Sequence, residues 1–274
     1  MYKILTKRRL VPNIHFMTVE SRDIPTNAAA GAFVVVRADE FGERIPLNLV
    51  DWDKSSISAI FMEVGTSTRK LACLKAGDQL ATLAGPLGRP TVVPEGQQIL
   101  AIGGCYGIGA LYPVLRAFKE KNNRVTTVIE GRSAQLLYWA NRLRQYSDSL
   151  IEVTRDGTRG VKGHIHDVLP GFLSGQPPDL IYVQGCTYLT YLVSQFTKPS
   201  GVRTIVGLNP IMIDATGMCG VCRVIVAGQT KFACVDGPEF DGHQVDWDNL
   251  LTRRHTYLEH ERRSLSFYEC ENYG

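Results

Sequence analysis

The chain has 274 residues, enough for about two domains with a small appendage, and 44% of them are hydrophobic, ample for real cores. Its 30 basic and 27 acidic residues leave a net charge of +3 without a long one-sign run, which argues against nucleic acid or an acidic membrane as principal partner. No segment approaches the ~20 apolar residues of a membrane span, the N-terminus lacks an apolar signal core, and seven cysteines, an odd number with three of them clustered, fit a reducing cytosol better than a disulfide framework.

Residues 1–95 alternate short β-type runs with turn residues and no helical period, which predicts a small antiparallel barrel. Ala32–Arg37 and Ile57–Val64 read as buried strands, punctuated by Gly42, Gly65, Gly77-Asp78 and Gly85-Pro86. Two pieces of this region offer ligand chemistry. Arg44, Pro46, Leu47 and Asn48 put a guanidinium and a small polar side chain on a proline-fixed strand. Gly65, Thr66, Ser67, Thr68 and Arg69 supply backbone N–H groups, hydroxyls and a cation that suit a pyrophosphate. Each alone is more often an ordinary turn or a solvated strand face.

Near residue 97 the pattern changes. Gln98–Ile102 is a buried-type strand running into Gly103-Gly104-Cys105-Tyr106-Gly107-Ile108-Gly109, after which Leu111, Val114, Leu115 and Phe118 mark one face of a helix with Pro113 in its first turn. A strand, a glycine turn and a helix start make an anion cradle, with Gly103, Gly104, Gly107 and Gly109 allowing close approach. The next strand, Val125–Ile129, ends at Glu130 and Arg132. An acid about 20 residues past the glycines suits a ribose 2′-hydroxyl; the arginine suits a 2′-phosphate, so NAD and NADP both stay open. Leu136, Leu137, Trp139, Ala140 and Leu143 predict a helix, with strands near Ile151–Thr154, Leu180–Val183 and Arg203–Val206, an α/β nucleotide-binding layout. Cys186 follows a strand and opens a helix, where a side chain reaches a nicotinamide or simply fills space. Cys105 reads as filler or a tolerated glycine replacement, and Cys73 and Cys270 carry no partner pattern. His164 and His166 would share a face of a strand, without a third ligand nearby.

The most specific signal comes next. Asp214, Cys219, Cys222 and Cys234 fill the frame D-x4-C-x2-C-x11-C, which is the C-x4-C-x2-C…C spacing of plant-type [2Fe–2S] sites with an acid in first place. Gly217 and Gly220 give the loop the backbone freedom to wrap a cluster. Zinc is the alternative metal for such donors, and Asp214 can instead cap the Thr216-Gly217 turn. Arg223–Val226 and Lys231–Ala233 predict a hairpin carrying Cys222 in and Cys234 out. The tail beyond Trp247 mixes charged and apolar residues, as a strap onto another subunit or as a surface helix folded back on its own chain.

Barrel, glycine turn and cluster loop together resemble the ferredoxin–NADP reductase superfamily, and within it the small (alpha) subunits of NADH-dependent ferredoxin:NADP oxidoreductase, also called sulfide dehydrogenase, with the electron-transfer subunit of dihydroorotate dehydrogenase more distant. Met218–Val224 and Phe232–Phe240 read almost as that family does. The resemblance implies a multi-domain α+β and α/β protein: an antiparallel β-barrel FAD domain over 1–95, a Rossmann-like NAD(P) domain over 96–208, a [2Fe–2S] module over 209–247 and a docking tail over 248–274. It implies FAD held by Arg44–Asn48 and Gly65–Arg69, and Asp214 as a true cluster ligand. The partner implied is a larger flavin and iron–sulfur subunit, as in an electron-bifurcating complex, with ferredoxin or a hydrogenase-type protein further along. Asn48 stands where Ser or Thr is usual beside the flavin. Cys105, Gly109 and Ala110 depart from the family's Gly-Gly-Gly-x-Gly-x-Ala-Pro-Leu-Tyr-Pro, and Gly185-Cys186-Thr187-Tyr188 lacks its Gly-Pro. The function expected is a cytoplasmic, NAD(P)H-dependent electron-transfer subunit; the alternative is a docking subunit that keeps fold and metal but no longer oxidises the nucleotide.

Overall fold

The computed structural model describes residues 2–273, with side chains as far as Tyr268; Cys270 lies outside the described side chains. Strands β1 (Tyr2–Val11), β2 (Ile14–Glu20), β3 (Phe33–Arg37), β4 (Ile45–Trp52), β5 (Ser56–Met62), β6 (Gln79–Leu80) and β7 (Thr82–Leu87) form one antiparallel sheet in the order β6-β1-β2-β5-β4-β3-β7. Its two edge strands are separated along the chain only by Ala81, whose N–H donates to Arg37 O at 3.0 Å, so the sheet curls into a nearly closed barrel. Period-two alternation fills the interior: Val34, Val36, Leu47, Leu49, Ile57, Ala59 and Phe61 face Ile4, Met17 and Leu80 there. Strand β3 is apolar at consecutive positions because both its faces are covered; Phe33 and Val35 point outward into the C-terminal module.

Contrary to the sequence reading, the barrel region carries a helix, α1 (Thr66–Cys73). Thr-Ser-Thr is poor helix-forming sequence, but Thr68 Oγ1 accepts from Val64 N and Gly65 N at 2.9 and 3.0 Å, satisfying donors at the helix start. At its other end Lys7 Nζ donates to Leu74 O at 2.7 Å and also to Ala72 O.

The second sheet holds β8 (Gln98–Gly104), β9 (Arg124–Gly131), β10 (Ser149–Thr154), β11 (Val161–Lys162), β12 (Leu180–Gln184) and β13 (Thr204–Gly207), all parallel, in the order β11-β10-β9-β8-β12-β13. The chain grows outward from β8 to one side and then returns to the other, which puts a topological switch point at the C-terminal ends of β8 and β12. Helix α2 (Gly107–Glu120) is buried on every side from Gly107 to Leu115, wedged between β8 and barrel residues Ile14, Phe16, Val50 and Ile60. It begins four residues earlier than the apolar stripe suggested, so Pro113 lies inside it rather than in its first turn. An interior proline removes one helical hydrogen bond, at about 3 kcal/mol or more, and total burial of the helix offsets that.

Leu136–Leu143 is not the single helix predicted. A 3-10 turn (Ala134–Leu136) gives way to α3 (Ala140–Arg144) through Trp139 at φ 58°. What holds that bend is aromatic: the Arg142 guanidinium lies 4.4 Å from the Trp139 ring and 4.0 Å from Tyr112, and pairs with Asp51 of the barrel. His164 and His166 are also misplaced by the strand reading. They sit at the start of α4 (Ile165–Leu173) with rings stacked 5.2 Å apart. Helix α5 (Thr187–Thr197) covers the far face of the sheet with α4.

Beyond β13 the chain makes a loop, a hairpin of β14 (Arg223–Val226) and β15 (Gln229–Phe232), and the short helix α6 (Ala233–Asp236). Strand β16 (Glu239–Asp241) then joins the edge of the parallel sheet, antiparallel to β13. Helix α7 (Trp247–Arg254) packs Trp247 and Leu250 into the core, while α8 (Leu258–Tyr273) returns to α1, where Ser264 Oγ meets Thr66 Oγ1 at 3.0 Å. The tail thus forms a helix that touches α1 of its own chain.

Three regions meet at Glu239. Its Oε1 accepts from Tyr182 of β12 at 2.5 Å and from Thr91, just past the barrel, at 2.7 Å. Loss of water around the carboxyl pushes Glu239 up to about 7, against the lowering effect of those two hydrogen bonds. The folded chain therefore keeps a proton that the unfolded chain releases near its ordinary pKa, so stability falls as pH rises from about 4.5 to about 7. Thermal melts of Glu239→Gln at pH 5 and pH 7.5 should show a smaller fall than wild type; an identical pH dependence contradicts this. A second test concerns the wedge. A Cβ on Gly107 would lie 2.2 Å from Gln184 O, backbone that cannot yield, whereas one on Gly65 meets nothing within 4 Å. Gly107→Ala should cost about 1–3 kcal/mol or more, read as a Tm loss of several degrees, and Gly65→Ala should stay within about 1 kcal/mol.

Candidate functional site

The cluster frame is brought together by a loop and a hairpin. Cys222 enters β14, the turn Ala227-Gly228 has φ 51° and 73°, and Cys234 leaves β15 in α6. Both thiols are buried with Sγ atoms 3.2 Å apart, bedded on Phe33, Val35, Met212 and Ala215. The other two donors form a second pair. Asp214 Oδ1 accepts from Cys219 Sγ at 3.0 Å and Oδ2 accepts from Cys219 N at 3.0 Å, and the Cys219 thiol contact is foremost in holding the carboxyl below its usual range. The turn-capping role is real as well: Thr216 N and Oγ1 donate to the same carboxylate at 3.3 and 3.2 Å. Gly217 at φ 84° bends the chain between Asp214 and Cys219, and Gly220 at φ 65° between the two pairs. Among the described residues no three His, Cys, Asp or Glu side chains gather round one point as a single ion requires. The four side chains thus fall into two pairs, one buried and one exposed around Cys219.

A cavity of about 310 Å3 opens at the switch point and is lined by Gly104, Cys105, Glu130, Arg132, Cys186 and Tyr188 of the parallel sheet and its turns and by Asn13 and Met62 of the barrel. Gly103 and Gly104 leave room for Leu111 and Leu189 rather than for a ligand, since a Cβ would come within 2.7 and 2.8 Å of them. Gly109 would strike Ile60 at 2.3 Å. The N–H of Gly109 already donates to the Tyr138 hydroxyl at 3.1 Å, and Ile108 N donates to Cys105 O at 3.3 Å, so part of the expected anion cradle is engaged within the chain.

Glu130 is likewise occupied. Its buried carboxylate accepts from Arg155 Nε at 3.1 Å and Ile165 N at 2.9 Å, with His164 Nδ1 at 3.5 Å. Arg132 is exposed on the cavity wall. Cys186 caps α5 at its N-terminus. The Cys105 thiol, followed in effect by the Tyr188 and Leu189 N–H groups, lowers Cys186 to about 6 against the opposing effect of burial, while Cys105 is raised in turn.

On the barrel, Pro46 and Asn48 share the outer face of β4, with Arg44 one residue before the strand, whereas Leu47 points into the interior core and offers a ligand only its backbone. Ser67 Oγ donates to Glu43 Oε2 at 3.3 Å, which sets the start of α1 beside this strand. Neither segment lines the switch-point cavity among the described residues. The sequence reading missed the residues that brace that cavity. Tyr106 OH donates to Gly185 O at 2.9 Å and receives Asn209 Nδ2, and Arg254 Nη1 donates to Asn209 Oδ1 at 2.8 Å. Arg155 was detectable, standing one place past the end of β10, where ligands gather in such sheets; the Asn209–Arg254 contact left no local trace.

Residues 209–246 match the model of the iron–sulfur cluster binding domain of dihydroorotate dehydrogenase B. Over 264 residues the chain is 39% identical to a dihydroorotate dehydrogenase B (NAD(+)) electron-transfer subunit homologue of Thermotoga maritima, covering 96% of this chain and 93% of that one. It is 27% identical over 256 residues to the electron-transfer subunit of dihydroorotate dehydrogenase B (NAD(+)) of Desulforamulus reducens, covering 90% and 97%. A solved structure of NADH-dependent reduced ferredoxin–NADP oxidoreductase, studied for flavin-based electron bifurcation, contains a chain that superposes with a TM-score of 0.91 at 37% identity over 98% of both chains. With the barrel, the parallel sheet and the paired donors already in place, these likenesses settle the family: the chain belongs to the electron-transfer subunits of dihydroorotate dehydrogenase B and their homologues.

Proposed function

We propose that the chain passes electrons between NAD(P)H, FAD and a [2Fe–2S] cluster and delivers them to, or takes them from, a larger iron–sulfur flavoprotein subunit in the cytoplasm. The observation that carries this reading is the two-and-two grouping of Asp214 with Cys219 and of Cys222 with Cys234 on the outer face of the barrel. That donor set fits a dinuclear cluster: one carboxylate and three sulfurs, in pairs. Asp214 and Cys219 would hold one iron and Cys222 and Cys234 the other. When bound, flavin and cluster supply the exchange between two-electron and one-electron chemistry.

The chain's own part is placement. Phe33, Val35, Met212 and Ala215 keep water from the inner sulfurs. Met218, 88% exposed beside Cys219, leaves the outer pair accessible to a partner. Arg44 just before β4, Pro46 and Asn48 on it, and Gly65–Thr68 at the start of α1 are the barrel groups offered to FAD, with the hydroxyls of Thr66 and Ser67 already bonded to Ser264 and Glu43. The switch-point cavity, lined by Gly104, Glu130, Arg132 and Cys186, is the place for the nicotinamide nucleotide, while Gly103, Gly107 and Gly109 lie behind its wall and serve the packing of the turn. Exposed Arg132 next to an engaged Glu130 favours the 2′-phosphate of NADP over a free ribose. The Glu130 contacts also motivate the second reading, a docking subunit that keeps the metal but no longer oxidises the nucleotide.

Two measurements decide. Anaerobically purified protein should bleach its flavin absorbance on addition of NADPH or NADH; absence of flavin and iron ends the reading, and a stable flavin that neither nucleotide reduces selects the docking subunit. Asp214→Ala should lose most of its iron, whereas Asp214→Cys should keep it with an altered EPR spectrum. An Ala variant with full iron and an unchanged spectrum removes Asp214 from the ligand set.

A further inference from the structure

The switch point places two cysteines against each other. In the parallel pairing of β8 and β12, Gly103 lies opposite Gln184, so Cys105 and Cys186 stand at equal offsets, two residues past a registered pair, on the two turns that leave neighbouring strands. The turns are held in place across that gap. Tyr106, next to Cys105, donates its hydroxyl to Gly185 O, next to Cys186, at 2.9 Å, and Tyr138 OH donates to Cys105 O at 3.0 Å. Cys105 takes φ 53°, a left-handed conformation that costs a non-glycine residue; the bend turns its side chain to the cavity wall that Cys186 also lines. The two turns approach closely beside the pair, since a Cβ on Gly185 would come within 3.1 Å of Gly104 O. Cys105 is exposed and Cys186 partly so, and neither is joined in a disulfide.

We propose that Cys105 and Cys186 form a redox-active dithiol that reacts with low-molecular-weight disulfides, Cys186 as the attacking sulfur and Cys105 as the resolving one. The Cys186 thiolate attacks one sulfur of the disulfide; the new Cys186–S–S–R bond forms as the disulfide's S–S bond breaks, and one RS⁻ leaves. Cys105 then gives up its proton and attacks the Cys186 sulfur, which expels the second RS⁻ and closes a Cys105–Cys186 disulfide. In total two protein thiols are oxidised and one small disulfide is reduced to two thiols. The reverse exchange with a small thiol restores the pair, so no other electron source is required. Two further features suit these roles. Cys186 is the N-cap residue of α5, and the positive end of that helix favours the thiolate. Cys105 keeps its proton until the second step. The inference stands apart from the nucleotide assignment of the same cavity, because the exchange needs neither NAD(P)H nor flavin.

Holoprotein prepared anaerobically and treated with oxidised glutathione, then quenched with an alkylating agent and mapped by peptide mass spectrometry, tests it. The wild type should accumulate a peptide pair cross-linked through Cys105 and Cys186. Cys105→Ser should instead retain glutathione on Cys186, and Cys186→Ser should leave Cys105 unmodified. Exposed Cys73, which belongs to no such pair among the described residues, serves as the internal reference. Glutathione held stably on Cys186 of the wild type with no cross-link overturns the proposal, and so does an unmodified Cys186 in protein whose Cys73 carries glutathione. Because the decisive product is read in the wild type, a variant that folds poorly leaves the test intact.

Discussion

Strand β3 has no solvent face, and the arrangement of the rest follows from that. Val34 and Val36 close the barrel interior, while Phe33 and Val35, one residue away on the opposite side of the pleat, form the floor on which the Cys222–Cys234 pair rests. At roughly 25 cal/mol per Å2 of apolar surface removed from water, burying such side chains on both faces contributes several kcal/mol, enough to fix the hairpin β14–β15 against the barrel. The inner pair of cluster donors is thus part of a hydrophobic core, whereas Asp214 and Cys219 stand at the protein surface. The cluster proposed for these four side chains would lie across that boundary, with one side insulated and the other open to exchange with a partner.

The same economy of packing shapes the second site. Helix α2 touches both the barrel and the parallel sheet, and its glycines are where the two approach most closely: Gly107 against the Gln184–Gly185 backbone and Gly109 against Ile60. The cavity at the switch point is what remains between surfaces held apart by that wedge. Its bracing runs through Tyr106, Asn209 and Arg254, so residues from the segment leading into the cluster loop and from α7 position the turn that carries Cys186. Through these contacts the two candidate sites share structural support, although they are built from different sheets.

Much of this was legible in the amino-acid order. The four apolar residues of β3, the strand–turn–helix at Gly103–Phe118 and the spacing from Asp214 to Cys234 are local patterns, and each sits where its pattern implied. What failed had non-local causes. Thr66-Ser67-Thr68 reads as a turn until Thr68 is seen capping α1 with Lys7 closing its far end. Pro113 reads as a helix start because nothing in sequence reveals that α2 is enclosed on all sides. Trp139 breaks a helical stripe since Arg142, Asp51 and Tyr112, distant in sequence, hold its bend. Glu130, which looked free at a strand end, is drawn into a buried contact by Arg155 and Ile165.

The central claim is that two irons are held by two unlike donor pairs. Mössbauer spectroscopy of the oxidised, 57Fe-enriched protein reads that directly. Two distinct ferric sites of equal weight are expected, one to which the protein would supply two sulfurs and one to which it would supply a sulfur and an oxygen. A single kind of iron site, or a protein that retains zinc and no iron, would contradict it.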